Sequence, residues 1–508
     1  MRSHYEVIVI GAELPALFAG ALLAKRGHRV LVIQHDTLEE AYPVGDLRLP
    51  RNPWFFVAAE TPIAKRILNE LALHTSIKQY SNASKPLLQF AIPSHRFDVP
   101  GDEEGWRREI EREFPEIASA IEGWFAPESP TFLLFEEVLS GKWPIPPLNC
   151  LERHRLQRAV EGLIRQAEAE DPLRSIPEDH PFRAVLRLPL RFFDGIDPDH
   201  APPLRLRRIW MNLRRGAPLT TEGLEGMRAL LVSSLRAHRG ELLERERVSR
   251  IYLHPRGFVE GVRLQASGDD LSAEHVLWSH PIASYLHLLS NPRPVEQFLE
   301  EHGTPTLRYY RYTLNFVLKA DAIPFGMGQA VLLLREANKS LFGANCLYLQ
   351  SGPPDGEGRR ILSAVALLPR SWVEESTEVF EGLREKLLSA ITELCPFIEE
   401  GLLLIDSPHD PFPPQPFGNL PRPQIQERWA RGPQSMLPLF RYPITGLGGL
   451  AALPMQPGLR NVFLVNDQVL PGLGQEGSLL CAWKTAQRIV TQDPQQDAFR
   501  RGWFRAKS

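Results

Sequence analysis

The sequence predicts an α/β fold, a two-part Rossmann domain carrying an inserted α+β domain. Three blocks predict it. Residues 6–34 read as strand, tight turn, small-residue helix and second strand. Residues 224–278 read as helix, strand, hairpin and returning strand. Residues 462–490 read as a buried strand, a glycine-rich turn and a helix. A chain of 508 residues is too long for one simple core, so two or three domains are expected.

In the first block, Glu6-Val-Ile-Val-Ile10 is an apolar run ending at Gly11, as a strand buried on both faces does. Ala16-Leu-Phe-Ala-Gly-Ala-Leu-Leu-Ala-Lys-Arg26 suits a helix packed closely on a sheet. Pro15 falls in its first turn, where a missing N–H is harmless. Gly27 stops the helix, and Arg29-Val-Leu-Val-Ile-Gln34 is the next strand. Together these make a βαβ unit.

The dinucleotide fingerprint G-x-G-x-x-G/A falls on Gly11, Glu13 and Ala16. Gly11 makes the turn, and Ala16 is small enough for the helix–strand contact. Glu13 stands where the pattern has no side chain, so that backbone can approach a diphosphate. A carboxylate about 4 Å from one phosphate charge costs about 1–4 kcal/mol. Micromolar to nanomolar binding is worth about 8–12 kcal/mol, so that penalty is serious without being decisive. Turning Glu13 outward or protonating it relieves the charge and leaves the bulk. Where an acidic residue usually bonds the ribose, at the end of the second strand, the chain has Gln34, with Asp36 two positions on. An amide holds a hydroxyl more weakly than a carboxylate does.

Near the other end, Asn461-Val-Phe-Leu-Val-Asn-Asp467 is a buried strand followed by an acid. Gly472, Gly474 and Gly477 then expose backbone amides at a helix N-terminus, a natural cradle for an anion or cofactor. In the middle block, Val248-Ser-Arg-Ile-Tyr-Leu253, a turn at 254–257 and Phe258-Val-Glu-Gly-Val-Arg-Leu264 form a hairpin. Ala273-Glu-His-Val-Leu-Trp278 returns and ends at Ser279-His-Pro281.

These blocks, in this order, resemble the FAD/NAD(P)-binding domain of the FAD-dependent amine oxidase, phytoene desaturase and carotenoid isomerase family. The resemblance implies FAD as cofactor. Asp467 would hold the flavin's ribitol and phosphate region, and Gly472, Gly474 and Gly477 would lie under the isoalloxazine. The backbone of Val248 would meet the adenine. Asn466 replaces the family's glycine, and its Gly-Gly-Arg loop is replaced by Tyr42-Pro-Val-Gly-Asp-Leu-Arg48 and Leu49-Pro-Arg-Asn-Pro-Trp-Phe-Phe56. There Gly45, Arg48 and Arg51 are the groups able to reach a phosphate. The activity implied is flavin hydride transfer on an apolar or amine substrate, with the reactive chemistry in the cofactor and no catalytic residue assigned. GDP-dissociation inhibitors and Rab escort proteins share the superfamily, and their degenerate nucleotide loops are similar to residues 11–16. The alternative expectation is therefore a binding or scaffold protein that keeps the fold and has lost tight FAD binding. A nicotinamide-only dehydrogenase would leave the Asp–Gly loop without a purpose.

The domain boundaries expected are 1–56, 220–294 and 441–508 for the Rossmann domain, 57–219 for a helical substrate or cap region, and 295–440 for a mixed substrate domain. Helical patterns at 103–114 and 151–169, strands at 310–318 and 360–368, and a helix at 379–394 fill the insertions. Trp54, Phe55 and Phe56 are candidates for a substrate mouth, and equally for a core anchor. His280 and Trp483 are candidates to border the cofactor, with a structural role the plainer reading. Arg205, Arg207, Arg208, Arg214 and Arg215 alternate with apolar residues. That pattern suits either peripheral membrane contact or a solvated helix face, the second being plainer.

A formal charge of −3, with 43% apolar and 23% charged residues, fits a globular protein and gives no basic face for nucleic acid. Cys150, Cys346, Cys395 and Cys481 stand apart without metal or redox spacing, so buried reduced thiols in a cytoplasmic protein are expected. The early apolar stretches are broken by Glu6, Glu13, Lys25 and Arg26, which removes a signal peptide or membrane span from the expectation.

Overall fold

The computed structural model describes residues 3–79, 81–82, 86–121, 129–139, 143, 145–147, 150–194, 203–216, 219–220, 223–375, 377–417, 432–442 and 446–492. Two sheets carry the architecture.

The first sheet is built from all three blocks. Its strands lie in the order Val248–His254, Phe258–Leu264, Asp270–Trp278, His4–Ile10, Val30–Ile33, Glu241–Leu243, and Val462–Leu464 joins beside the end of Asp270–Trp278. His4–Ile10 is central and parallel to both neighbours, with Ile10 opposite Ile33 on one side and Trp278 on the other. Being covered on both faces, it is apolar almost throughout: Val7, Ile8, Val9 and Ile10 have no exposed surface. The helix Leu14–Lys25 follows and is buried from Ala16 to Ala24. It packs between the helices Gly223–Ala237 and Gly474–Gln492. Gly20 permits the close approach, since a Cβ there would stand 3.3 Å from Val32. The N-terminal and C-terminal blocks are thus two walls of one Rossmann core.

The second sheet has nine strands, centred on Thr306–Lys319 and Arg359–Pro369, which run antiparallel from Tyr309–Pro369 to Lys319–Arg359. Alternate residues of its strands face opposite cores. Val365 and Leu367 pack with Phe97, Trp106 and Trp210 under the helical insertion. Ala364, Ala366 and Leu368 pack with Leu387 and Ile391 of the helix Leu383–Leu394. The segment 57–219 is not helical throughout: its hairpin Leu88–Ile92/His95–Val99 extends this sheet, pairing in parallel with Ala330–Leu334.

The arginine-rich helix Pro203–Arg215 turns part of its basic face inward: Arg205, Arg207 and Arg208 are each at most 2% exposed, while Arg214 and Arg215 are half-buried. Arg208 holds Glu476 through Nε at 2.7 Å and Nη2 at 2.6 Å, and Glu136 at 2.8 Å. Arg205 donates to the Pro471 carbonyl at 2.9 Å, and Arg207 meets Ser129 and Glu170. The helix is an ionic strut between the insertion and the C-terminal glycine turn. Among the described residues no helix is long and apolar enough to cross a membrane. Cys346, Cys395 and Cys481 are free and buried, and burial raises each thiol's pKa; the side chain of Cys150 lies outside the described residues.

Candidate functional site

The loop 11–13, the expected nucleotide loop, lies between the ends of the strands His4–Ile10 and Asp270–Trp278 and the start of the helix Leu14–Lys25. Gly11 has φ +95°, a conformation that favours glycine. The space beside it is taken. A Cβ on Gly11 would stand 2.3 Å from Ser279 Oγ, 2.8 Å from Glu13 Oε2 and 3.1 Å from His280 Cε1. Glu13 has not turned outward. Its Oε1 pairs with His280 Nε2 and accepts the Thr37 hydroxyl at 3.0 Å. Thr37 Oγ1 in turn accepts the Ala12 N–H at 2.8 Å. Burial pulls the His280 imidazole down, and the Glu13 carboxylate more than offsets this, so its pKa stands above the ordinary value. Ala16, one turn into the helix, is buried as the fingerprint requires. Tyr285 locks the loop: its hydroxyl donates to the Ile10 carbonyl at 2.9 Å and accepts the amides of Ser279 and His280 at 3.1 and 3.0 Å.

Gln34 and Val248, the positions expected to meet ribose and adenine, are likewise engaged. Gln34 spends Nε2 on the Thr37 carbonyl at 3.0 Å and Oε1 on the Arg245 amide at 3.1 Å. The Val248 N–H goes to His35 Nδ1 at 3.2 Å, with His35 in the left-handed region at φ 53°. Burial lowers the His35 pKa to about 4, so the ring is a neutral acceptor. Arg48 pairs with Glu225 at the surface, and Gly45 (φ 62°) simply turns the hairpin Ala41–Val44/Leu47–Pro50. Arg51 is buried, donates to the Glu39 carbonyl at 3.1 Å and lies 5.5 Å from the Tyr42 ring centre.

On the C-terminal side the glycines have packing reasons of their own. A Cβ on Gly472 would strike the Gly449 carbonyl at 2.2 Å, and one on Gly477 the Leu470 carbonyl at 2.3 Å. Gly474, at φ +50°, lies under the Asp194 carboxyl, which would be 2.1 Å from its Cβ. Burial pushes Asp194 up to about 7, against Arg205. Asp467 accepts the Tyr442 hydroxyl at 2.7 Å. It stays accessible to solvent within a densely packed part of the chain. Burial raises its pKa, the Tyr442 bond opposes this, and Glu13 adds to the rise. Asn466 bonds the His280 carbonyl at 2.8 Å and so ties the two halves together.

A cavity of about 570 Å³ opens between the hairpin, the start of the helix Gly223–Ala237 and the second sheet. Trp54, Pro50 and Ile361 give it apolar wall; Glu40, Asn52 and Gln350 give it polar groups. Asn52 Oδ1 is buried and unpartnered. Burial pushes Glu40 up to about 7; Arg228 opposes this and Glu13 adds to it. Phe55 and Phe56 are core residues, 2% exposed, so only Trp54 of the aromatic trio meets the cavity. Trp483 is buried beneath Arg26 and Arg66, away from the loop.

The resemblance would set FAD against bare backbone beside Gly11, against the backbone of Val248 and on a ribose acceptor at Gln34. Those three are taken by Glu13, by His35 and by the bonds Gln34 already makes. Glu13, close enough to raise the pKa of both Glu40 and Asp467, would with them add carboxylates beside a diphosphate. The residues present do not fit FAD in this arrangement. Sequence reasoning singled out Glu13, Gln34 and His280 but missed His35, Thr37, Glu40, Asp194, Arg228, Tyr285 and Tyr442. None of these stands in a motif, and contacts such as Thr37–His280 span 243 residues of sequence.

No protein-family model matches the chain, and no curated protein matches it in sequence. Solved structures match over nearly its whole length. An oxidoreductase from Methanosarcina mazei is 15% identical, with 95% of this chain and 99% of that one covered and a TM-score of 0.56. Cyclohexylamine oxidase from Brevibacterium oxydans is 14% identical, with 96% and 99% covered and a TM-score of 0.57. A Rab GDI from Plasmodium falciparum is 11% identical, with 96% and 98% covered and a TM-score of 0.50. Identities this low show the fold alone, and this fold is one that oxidoreductases, an amine oxidase and a Rab GDI share.

Proposed function

We propose that this chain is a small-molecule-binding protein on the flavin-oxidoreductase fold, with its dinucleotide crevice closed by its own side chains. The observation that carries the reading is the Glu13 carboxylate beside Gly11, held by His280 and Thr37. The C-terminal glycines, the best sign of a cofactor in the sequence, are accounted for by contacts with Gly449, Asp194 and Leu470. The ligand is an apolar or amine molecule taken into the 570 Å³ cavity, where the Trp54 side supplies apolar surface and Glu40 and Asn52 accept hydrogen bonds.

One observation favours a second reading, a flavin oxidoreductase acting by hydride transfer on an apolar or amine substrate. Asp467 is accessible to solvent, at the position the family uses for the ribitol. That reading requires Glu13 to leave Gly11. The visible spectrum of the purified protein, followed by titration with FAD, separates the two. The binding-protein reading expects a colourless protein that takes up no FAD at micromolar concentration. Stoichiometric flavin absorption would overturn it.

A further inference from the structure

Glu13 begins the helix Leu14–Lys25 with extended backbone (φ −64°, ψ 159°), yet its side chain makes no cap bond to the helix. It bends back over Gly11 instead. Two donors converge there: Thr37 donates its hydroxyl, and His280 pairs with it. The positive end of the helix lies beside them and favours a negative charge. The Ala12 amide donates to Thr37 Oγ1 and so fixes the direction of that hydroxyl. Ser279 points its hydroxyl into the same space, is only 5% exposed and finds no partner. Glu13 Oε2, also buried, finds none either. The loop is therefore built to hold an anion, holds one carboxylate oxygen, and keeps polar capacity that the carboxylate does not use.

We propose that Glu13 is an internal stand-in for a diphosphate: its carboxylate neutralises the loop in cis, keeps it folded and masks an anion site. This rests on the reading that the crevice works without FAD. Arg228, which donates to the Ala12 carbonyl, stands over the same turn and supplies a cation once the carboxylate is gone. Ser279 Oγ, Thr37 Oγ1 and His280 Nε2 then become the donors for the entering group. Glu40 and Asp467 remain, so the unmasked site is one of modest affinity.

The test uses the full-length chain with inorganic pyrophosphate and ADP as probes, by calorimetry, for the wild type, Glu13→Gly and Glu13→Gln. The wild type is expected to bind neither at millimolar concentration. Glu13→Gly is expected to melt at lower temperature alone and to bind pyrophosphate at least about tenfold more tightly than the wild type. Equal affinity in wild type and a folded Glu13→Gly protein would overturn the proposal. Glu13→Gln, which keeps the bulk without the charge, covers the case in which the glycine variant fails to fold. In that variant the His280 imidazole, followed by NMR titration, should fall below its wild-type pKa. An unchanged titration would show that Glu13 is not its partner, and the proposal would fail. A yellow wild-type protein would remove the underlying reading as well. A colourless wild type with no gain in Glu13→Gly would remove the masking alone.

Discussion

His409 lies against the seam between the two sheets, fully buried, with Nδ1 2.9 Å from Ser435 Oγ and Nε2 3.4 Å from the Arg51 carbonyl. Burial, with Arg51 adding to it, lowers its pKa to about 3. The unfolded chain binds this proton near pH 6.5 and the folded chain only near pH 3, so unfolding takes up a proton in between. Stability is therefore intact above pH 6.5 and falls as pH drops through that window. From pH 7 to pH 5 this one group should remove about 2 kcal/mol. Urea melts of the wild type and His409→Asn at the two pH values measure it: their difference should shrink by that amount at pH 5. A difference independent of pH would mean that the ring reaches solvent. At this scale the sequence was informative where a motif fixes an expectation, as at Glu13 and Gln34. It was silent where a residue matters through contacts far along the chain, as His35 does at Val248 and Asp194 does at Gly474.

Elements were more legible than their surroundings. The βαβ unit, the helix at 224–238 and the strands at 310–318 and 360–368 all appear within a few residues of expectation, because period and stop signals are local properties. The arginine-rich segment forms the expected helix, but what covers its polar face is Glu476, 268 residues away from Arg208. A periodic pattern reports that two faces differ and not what meets them. The strut has a measurable consequence. Glu476 is 1% exposed and takes both Arg208 bonds together with Asn212 at 3.2 Å. Removing Arg208 leaves a buried carboxylate poorly compensated, a loss of about 3–5 kcal/mol. Arg208→Met should therefore be strongly destabilised, and adding Glu476→Leu should recover most of the loss. A double-mutant cycle from chemical melts tests this. Additive effects would show that the pair is not coupled.

At the scale of the whole molecule, the order of the three Rossmann blocks was legible, whereas the pairing of the hairpin Leu88–Val99 with the second sheet was not. Strand composition says that a segment suits a sheet, and nothing in it chooses which sheet. The docking of the hairpin on the second sheet is equally invisible in the sequence, because it joins Tyr42, Val44 and Leu49 to Val317 and Leu404, far along the chain, and fixes them with buried polar groups. Asn315, in the middle strand of the second sheet and fully buried, donates to the Pro50 carbonyl at 2.8 Å and to the Tyr42 hydroxyl at 3.2 Å. Its Oδ1 accepts the Ser363 hydroxyl at 2.6 Å. One side chain thus joins the hairpin Ala41–Val44/Leu47–Pro50, which borders the cavity, to the sheet behind it. Asn315→Leu keeps the volume and strands the Pro50 carbonyl and the Ser363 hydroxyl, at about 1–3 kcal/mol for each buried group left unpaired. The loss should be regional. Amides of residues 41–50 should exchange with deuterium faster in the variant, while those of 4–10, in the centre of the first sheet, keep their protection. Uniformly faster exchange would mean that the two sheets unfold as one unit, and the seam would then be no weaker than either core.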